Sequence, residues 1–147
     1  MRYHLMGFTS GEEVSMHRNP ARPMSPHLTI WKWGPHMAVS ILHRITGTGL
    51  AVAGGALFTW WLVALASGPD AYAAFQGWAT WPWMLIVWIG LTWAALQHTL
   101  SGIRHFVLDI GAGYELRTNK FWSVIVLLAP IVLTGLVWTL ILMGQLA

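Results

Sequence analysis

Residues 45–69 contain no Asp, Glu, Lys, Arg or His. A helix of these twenty-five residues would rise about 37 Å, more than the roughly 30 Å hydrocarbon core of a bilayer. So long an uncharged run has no polar face to offer water, and a chain of 147 residues is too small to wrap it in a soluble core. The same pattern recurs twice. The expectation is an all-α membrane protein with three transmembrane helices, at about 36–66, 83–107 and 121–144. Residues 1–35 form an N-terminal segment before the 36–147 membrane domain. Residues 67–82 and 111–120 are read as the connections.

Composition agrees with that reading. Only 9% of residues are charged, against about 25% in soluble domains. The eleven tryptophans suit aromatic belts at membrane surfaces, and Trp31, Trp33, Trp78, Trp81, Trp83 and Trp122 fall near span boundaries. There is no cysteine, which excludes disulfides, thiolate zinc, iron–sulfur clusters and thioether-linked haem on this chain, and leaves histidine ligation open. The formal charge of +3 reflects few charges and reads as topology bias, not nucleic-acid binding. Gly11-Glu12-Glu13 interrupts the N-terminal region, so no signal peptide is expected.

Basic residues orient the spans. Arg2, Arg18, Arg22 and Lys32 precede the first, and Arg117 and Lys120 lie between the second and third. The other loop and the C-terminal tail have no Lys or Arg. The positive-inside rule then places the N-terminus in the cytoplasm and the C-terminus in the periplasm. Pro20, Pro23, Pro26 and Pro35 prevent one continuous N-terminal helix.

Two polar stripes interrupt the apolar pattern. In the first span, Ser40, His43, Arg44 and Gly47 stand at i, i+3, i+4 and i+7, with Ala51 and Gly54 extending the same face. Ionisable groups at membrane depth mark functional sites by default. A packing seam explains the glycines but not Arg44, about 12 Å into the helix. In the second span, His98, Gly102 and His105 share a face, while Arg104 and Asp109 mark the cytoplasmic end. His98 falls near mid-membrane, and a glycine one turn away leaves room for a macrocycle. Arg44, His43 and His105 are placed to meet propionates. The alternative is a histidine hydrogen-bonded across a helix interface, and the residues alone leave both open. The other histidines lie too near the cytoplasmic edge to face His98, so a second haem ligand must come from another polypeptide and the bundle is heteromeric. The third span has no ionisable residue and is assigned a scaffold role, with Pro130 and Gly135 as kink or contact points.

Three motifs in order carry a family resemblance. They are Arg22-Pro23-Met24-Ser25-Pro26-His27-Leu28, then Ser40-Ile41-Leu42-His43-Arg44-Ile45-Thr46-Gly47, then His98-Thr99-Leu100-Ser101-Gly102-Ile103-Arg104-His105 followed by Asp109. With the three spans, they resemble the larger cytochrome b membrane-anchor subunit of succinate dehydrogenase, respiratory complex II. The resemblance covers essentially the whole chain.

It implies a multi-pass subunit in the bacterial inner membrane, serving electron transport and the tricarboxylic acid cycle. Haem b would be shared with a smaller anchor subunit, with His98 as this chain's axial ligand to the iron. Ser40 and Arg44 match the family's ubiquinone-site residues, and His43, Arg44 and His105 resemble residues near the propionates. FAD and iron–sulfur clusters would reside only on partner subunits, a flavoprotein and an iron–sulfur protein, so this chain alone does not oxidise succinate. The other readings are a quinol:fumarate reductase anchor, a haem-independent structural anchor and a transporter. The unbroken apolar third span argues against a transporter.

Overall fold

The computed structural model describes residues 27–146. Arg2, Arg18, Pro20 and the Arg22 to Pro26 part of the first motif lie outside them. Residues 27–32 belong to a separate N-terminal unit and form a turn, in which the Ile30 and Trp31 amides donate to the His27 carbonyl at 3.1 and 3.2 Å.

From Trp33 onward, all regular structure among the described residues is helical. The first span, Pro35–Ser67, is built of α1 (Pro35–Gly49), a π-helical turn (Leu50–Gly54) and α2 (Gly55–Ser67). Pro35 opens α1, where its missing N–H costs nothing and its fixed φ suits a helix. The π turn falls in a run of glycines and alanines, and it breaks the 3.6-residue period. The small-residue strip expected through Ala51 and Gly54 is therefore split. Gly54 faces Leu91 of the next span, whereas Ala51 is exposed.

The connection at 67–82 holds a further helix, α3 (Pro69–Ala79). Gly68 turns the chain with φ 108°, a conformation that glycine adopts without strain. Pro69 and Asp70 then start α3, the carboxylate meeting the positive helix end. At about 16 Å, α3 is too short to cross a bilayer. It folds against α2 through Trp60, whose ring packs 5.2 Å from Phe75 and 4.7 Å from Trp78. The Trp88 indole N–H donates to the Ala79 carbonyl at 2.9 Å and fixes the far end of α3.

The remaining helices are α4 (Met84–Asp109) and α5 (Leu116–Leu146). They supply two more segments long and apolar enough to span a membrane, Met84–Asp109 and Leu116–Gly144. A Schellman turn ends α4. The Gly111 amide donates to Leu108 and the Ala112 amide to Val107, with Gly111 at φ 85°. Helices α1, α4 and α5 pack against one another.

The interior of this bundle is rich in polar groups beside Val39, Val126 and Pro130. Thr46, Gln97, Ser101, Arg104, Ser123 and Thr134 are buried, while Phe106, Ile131, Val132 and Leu140 face outward. Lipid removes the hydrophobic drive to pair helices, so small and hydrogen-bonding residues fill the seams. Pro130 is fully buried within the continuous α5, which makes it a packing contact. Thr134 Oγ1 donates back to its carbonyl at 2.7 Å.

Candidate functional site

The histidines meet at the α1–α4 seam. His98 Nδ1 donates to the His43 carbonyl at 3.1 Å, and Thr46 Oγ1 lies 3.5 Å from the same nitrogen. The Thr46 hydroxyl itself donates to the Leu42 carbonyl at 2.7 Å. A carbonyl only accepts, so His98 carries its proton on Nδ1 and keeps Nε2 as a lone-pair donor. No group among the described residues hydrogen-bonds to Nε2. A histidine anchored through one nitrogen to a backbone carbonyl, with the other bare, is oriented as a metal ligand requires.

Gly47 makes that orientation possible. A Cβ there would sit 2.8 Å from His98 Cε1 and 3.3 Å from Nδ1, so a side chain would push the ring off its carbonyl.

His43 lies level with His98, with the rings stacked 4.0 Å apart at 6°. This corrects, for His43, the expectation that the other histidines sit too near the membrane edge to face His98. Depths counted from the ends of two separate helices do not give their vertical offset. The stack leaves no room for a macrocycle between the rings, so these two histidines do not form a ligand pair across one iron.

Ser101 holds His43. Its hydroxyl donates to the Gln97 carbonyl at 2.6 Å and lies 2.7 Å from His43 Nδ1. The single hydroxyl proton being committed, His43 Nδ1–H is the donor to Ser101. His105 follows, its ring 5.1 Å from that of His43. Gly102 faces His43 as well, where an added Cβ would sit 3.6 Å from Cε1.

Ser40 and Arg44 are placed differently. Ser40 is half-buried and Arg44 exposed, and neither makes a side-chain hydrogen bond or ion pair among the described residues. The stripe thus straddles a rim. Its His43 and Gly47 edge is closed by α4, while its Arg44 edge faces outward.

From sequence, Gly47 reads as a packing position, Thr46 appears only as part of the second motif, and Gln97 and Asn119 carry no signal of their own. Gln97 is 0% exposed, and its carboxamide Oε1 and Nε2 have no hydrogen-bond partner. Arg104 was expected to mark the cytoplasmic end. It lies near that end of α4 and is 9% exposed, turned toward α5, with Nη2 donating to Asn119 Oδ1 at 2.7 Å. The i, i+4, i+7 spacing of Gln97, Ser101 and Arg104 was the available signal. No cluster of three or more His, Cys, Asp or Glu able to hold a bare metal ion occurs among the described residues.

Residues 18–137 match the model of the succinate dehydrogenase/fumarate reductase transmembrane subunit family. The chain belongs to this family. The succinate dehydrogenase cytochrome b556 subunit of Paracoccus denitrificans is 42% identical over 97 residues, 65% of this chain and 73% of that one. The corresponding subunit of Rickettsia felis is 35% identical over 117 residues, covering 80% of this chain and 90% of the relative. The mitochondrial cytochrome b560 subunit of Mus musculus is 31% identical over 137 residues, covering 88% and 80%. A transmembrane subunit of this family, with three membrane-length helices and bacterial relatives, is a multi-pass protein of the bacterial inner membrane.

Proposed function

We propose that this chain is the larger membrane-anchor subunit of a succinate:ubiquinone oxidoreductase. It holds haem b on His98 together with a smaller anchor subunit, and contributes Ser40 and Arg44 to the ubiquinone-reduction site. The observation that carries the proposal is the state of His98, fixed by its Nδ1–H bond to the His43 carbonyl and seated on Gly47. That donor set fits one axial position. When bound, the haem would supply reversible one-electron storage, while the protein sets the direction of the imidazole and the polarity around it.

The remaining roles follow from chemistry and position. Quinone reduction builds negative charge on the quinone oxygens before protons arrive. The Ser40 hydroxyl would donate to one carbonyl oxygen, and the Arg44 guanidinium would stabilise the charge. Among the described residues Arg44 makes no hydrogen bond or ion pair that would compete. His43 and His105, beside His98, are the candidates to face haem propionates.

Residues 1–35 are assigned to the cytoplasm and 36–147 to the membrane domain, with the C-terminus periplasmic. The iron–sulfur and flavoprotein subunits, carrying the iron–sulfur clusters and FAD, would dock on the cytoplasmic side, close to where the quinone binds. Succinate oxidation belongs to them. A quinol:fumarate reductase anchor is the second reading, because the matching family description covers both enzymes.

The test uses the purified complex. His98→Ala is expected to abolish the b-type optical spectrum, and an unchanged bis-histidine spectrum would refute the ligand assignment. Arg44→Ala is expected to depress ubiquinone reduction while succinate oxidation by an artificial acceptor continues. Equal loss in both assays would make Arg44 structural. Loss of growth on aerobic succinate on deletion of the gene separates the two enzyme readings.

A further inference from the structure

A groove of about 460 Å³ lies between α4 and α5, away from the histidines. It runs from Gly113 in the loop down to Leu100 and Ala129, with Trp122 along one side and Arg104 and Asn119 at its wall. Gly113 and Leu100 are thirteen residues apart in the chain, so the groove is somewhat under 20 Å deep, comparable to one leaflet of the hydrocarbon core. Its lining is almost wholly apolar apart from this guanidinium, this carboxamide and Thr118.

Arg104 is the unusual feature. It sits about 7 Å inside the end of α4 and is 9% exposed. One of its five donors reaches Asn119, and Ser123 Oγ, 3.5 Å away, closes on the same oxygen. Among the described residues no carboxylate lies within ion-pair distance of it. Asp109 and Glu115, the nearest acids in the chain, are exposed, and Glu115 Oε2 accepts from Thr118 instead. Arg117 and Lys120, in the first turns of α5, add positive charge at the same end of that helix as Asn119. A buried cation without a counter-ion is costly. An anion brought in from the bilayer removes that cost, and basic pockets between transmembrane helices on the cytoplasmic side bind acidic lipid headgroups for this reason.

We infer that the α4–α5 groove binds one anionic phospholipid, its phosphate on Arg104 and one acyl chain laid along the groove toward Ala129. The guanidinium fork matches a phosphodiester, whose charge-assisted bonds are the strong ones. The apolar lining below Arg104 suits an acyl tail. A neutral quinone ring would fill space there without answering the charge. This site is independent of the haem and quinone assignments.

Native mass spectrometry of the complete complex with lipid identification tests it. The wild-type complex is expected to retain one phosphatidylglycerol or cardiolipin per copy of this chain. Arg104→Gln should lose it, and Arg104→Lys, which keeps the charge without the fork, should hold it more weakly than wild type but better than Arg104→Gln. Ala129→Trp, which fills the deep end without touching the charge, should also expel it, and gives an independent result where Arg104→Gln fails to assemble. Added phosphatidylglycerol should raise the melting temperature of the delipidated wild-type complex, and phosphatidylcholine should not. Lipid retained at wild-type stoichiometry in both Arg104→Gln and Ala129→Trp would overturn the site. So would a crosslinker placed at Trp122 that captures a partner subunit in the groove instead of lipid.

Discussion

Helix α4 makes two seams, and they are closed by different means. Against α1 it uses short groups: Gly47 and Gly102 each face an imidazole from the opposite helix, and His43, His98 and Ser101 bond across at 2.7–3.1 Å. Against α5 it uses long arms, with Arg104 reaching Asn119 at 2.7 Å and the Trp138 indole reaching Thr92 Oγ1 at 3.3 Å. A glycine seat and a bond across the seam leave little freedom to an imidazole, as the proposed ligand role of His98 requires. The two helices also pack along their length, but beside Arg104 and Trp122 they leave a groove that a lipid tail can enter. One helix thus serves a rigid seam on one side and an accommodating one on the other.

The sharpest way to break the rigid seam is at Gly47. Gly47→Val would place a branched side chain where even one carbon falls 2.8 Å from His98 Cε1. The ring cannot retreat easily, because His43 stacks on it and a carbonyl holds its Nδ1. Overpacking of this kind costs about 1–3 kcal/mol or more. The expected readouts are a lowered melting temperature of the complex and a shifted or missing b-type absorption. The equivalent change at Gly102, Gly102→Ala, adds a carbon in ordinary contact with His43 at 3.6 Å and should be much milder. Equal effects at the two glycines would show that helix spacing, and not the seat of His98, is what Gly47 provides.

The accommodating seam is probed at Asn119. Asn119→Ala removes the one acceptor of a buried guanidinium among the described residues, and a hydrogen bond to a charged group is worth about 1.5–3 kcal/mol. The melting temperature should fall while the b-type spectrum stays unchanged, since no histidine contacts α5 through this pair. Ser101→Ala is the matching change in the rigid seam. It leaves His43 Nδ1 unpaired and should also cost about 1–3 kcal/mol, but with a spectral change. A spectral change in Asn119→Ala would mean that the two seams are coupled.

The seams differ in how far they could be read from sequence. The three spans were legible because charge and length alone decide what crosses a bilayer. The grouping of His98, Gly102 and His105 was legible because one helical period places them together. Helix α3 was not, because residues 67–82 are short and of mixed polarity, and their helix depends on Phe75 and Trp78 packing on Trp60. The π turn at Leu50–Gly54 was hidden because no side chain announces an i→i+5 bond, yet it decides that Gly54 and not Ala51 meets the next span. The inward turn of Arg104 depends on Asn119, fifteen residues away on another helix.

Gln97 lies one residue before His98, on the buried face that continues to Ser101 and Arg104, and it carries the smallest expected effect. Its carboxamide is fully buried and makes no protein hydrogen bond. An unpaired buried amide is unfavourable to the fold, and an apolar replacement of similar size removes that penalty without opening a cavity. Gln97→Met should therefore leave the melting temperature of the complex unchanged or slightly raised. If packing is its only role, quinone reduction and the haem spectrum should be unchanged too. Unchanged stability with reduced quinone reduction would instead show that the amide is kept for a ligand or proton path reaching the bundle from the histidine side. That outcome would extend the functional seam from the α1–α4 contact into the centre of the three-helix interface.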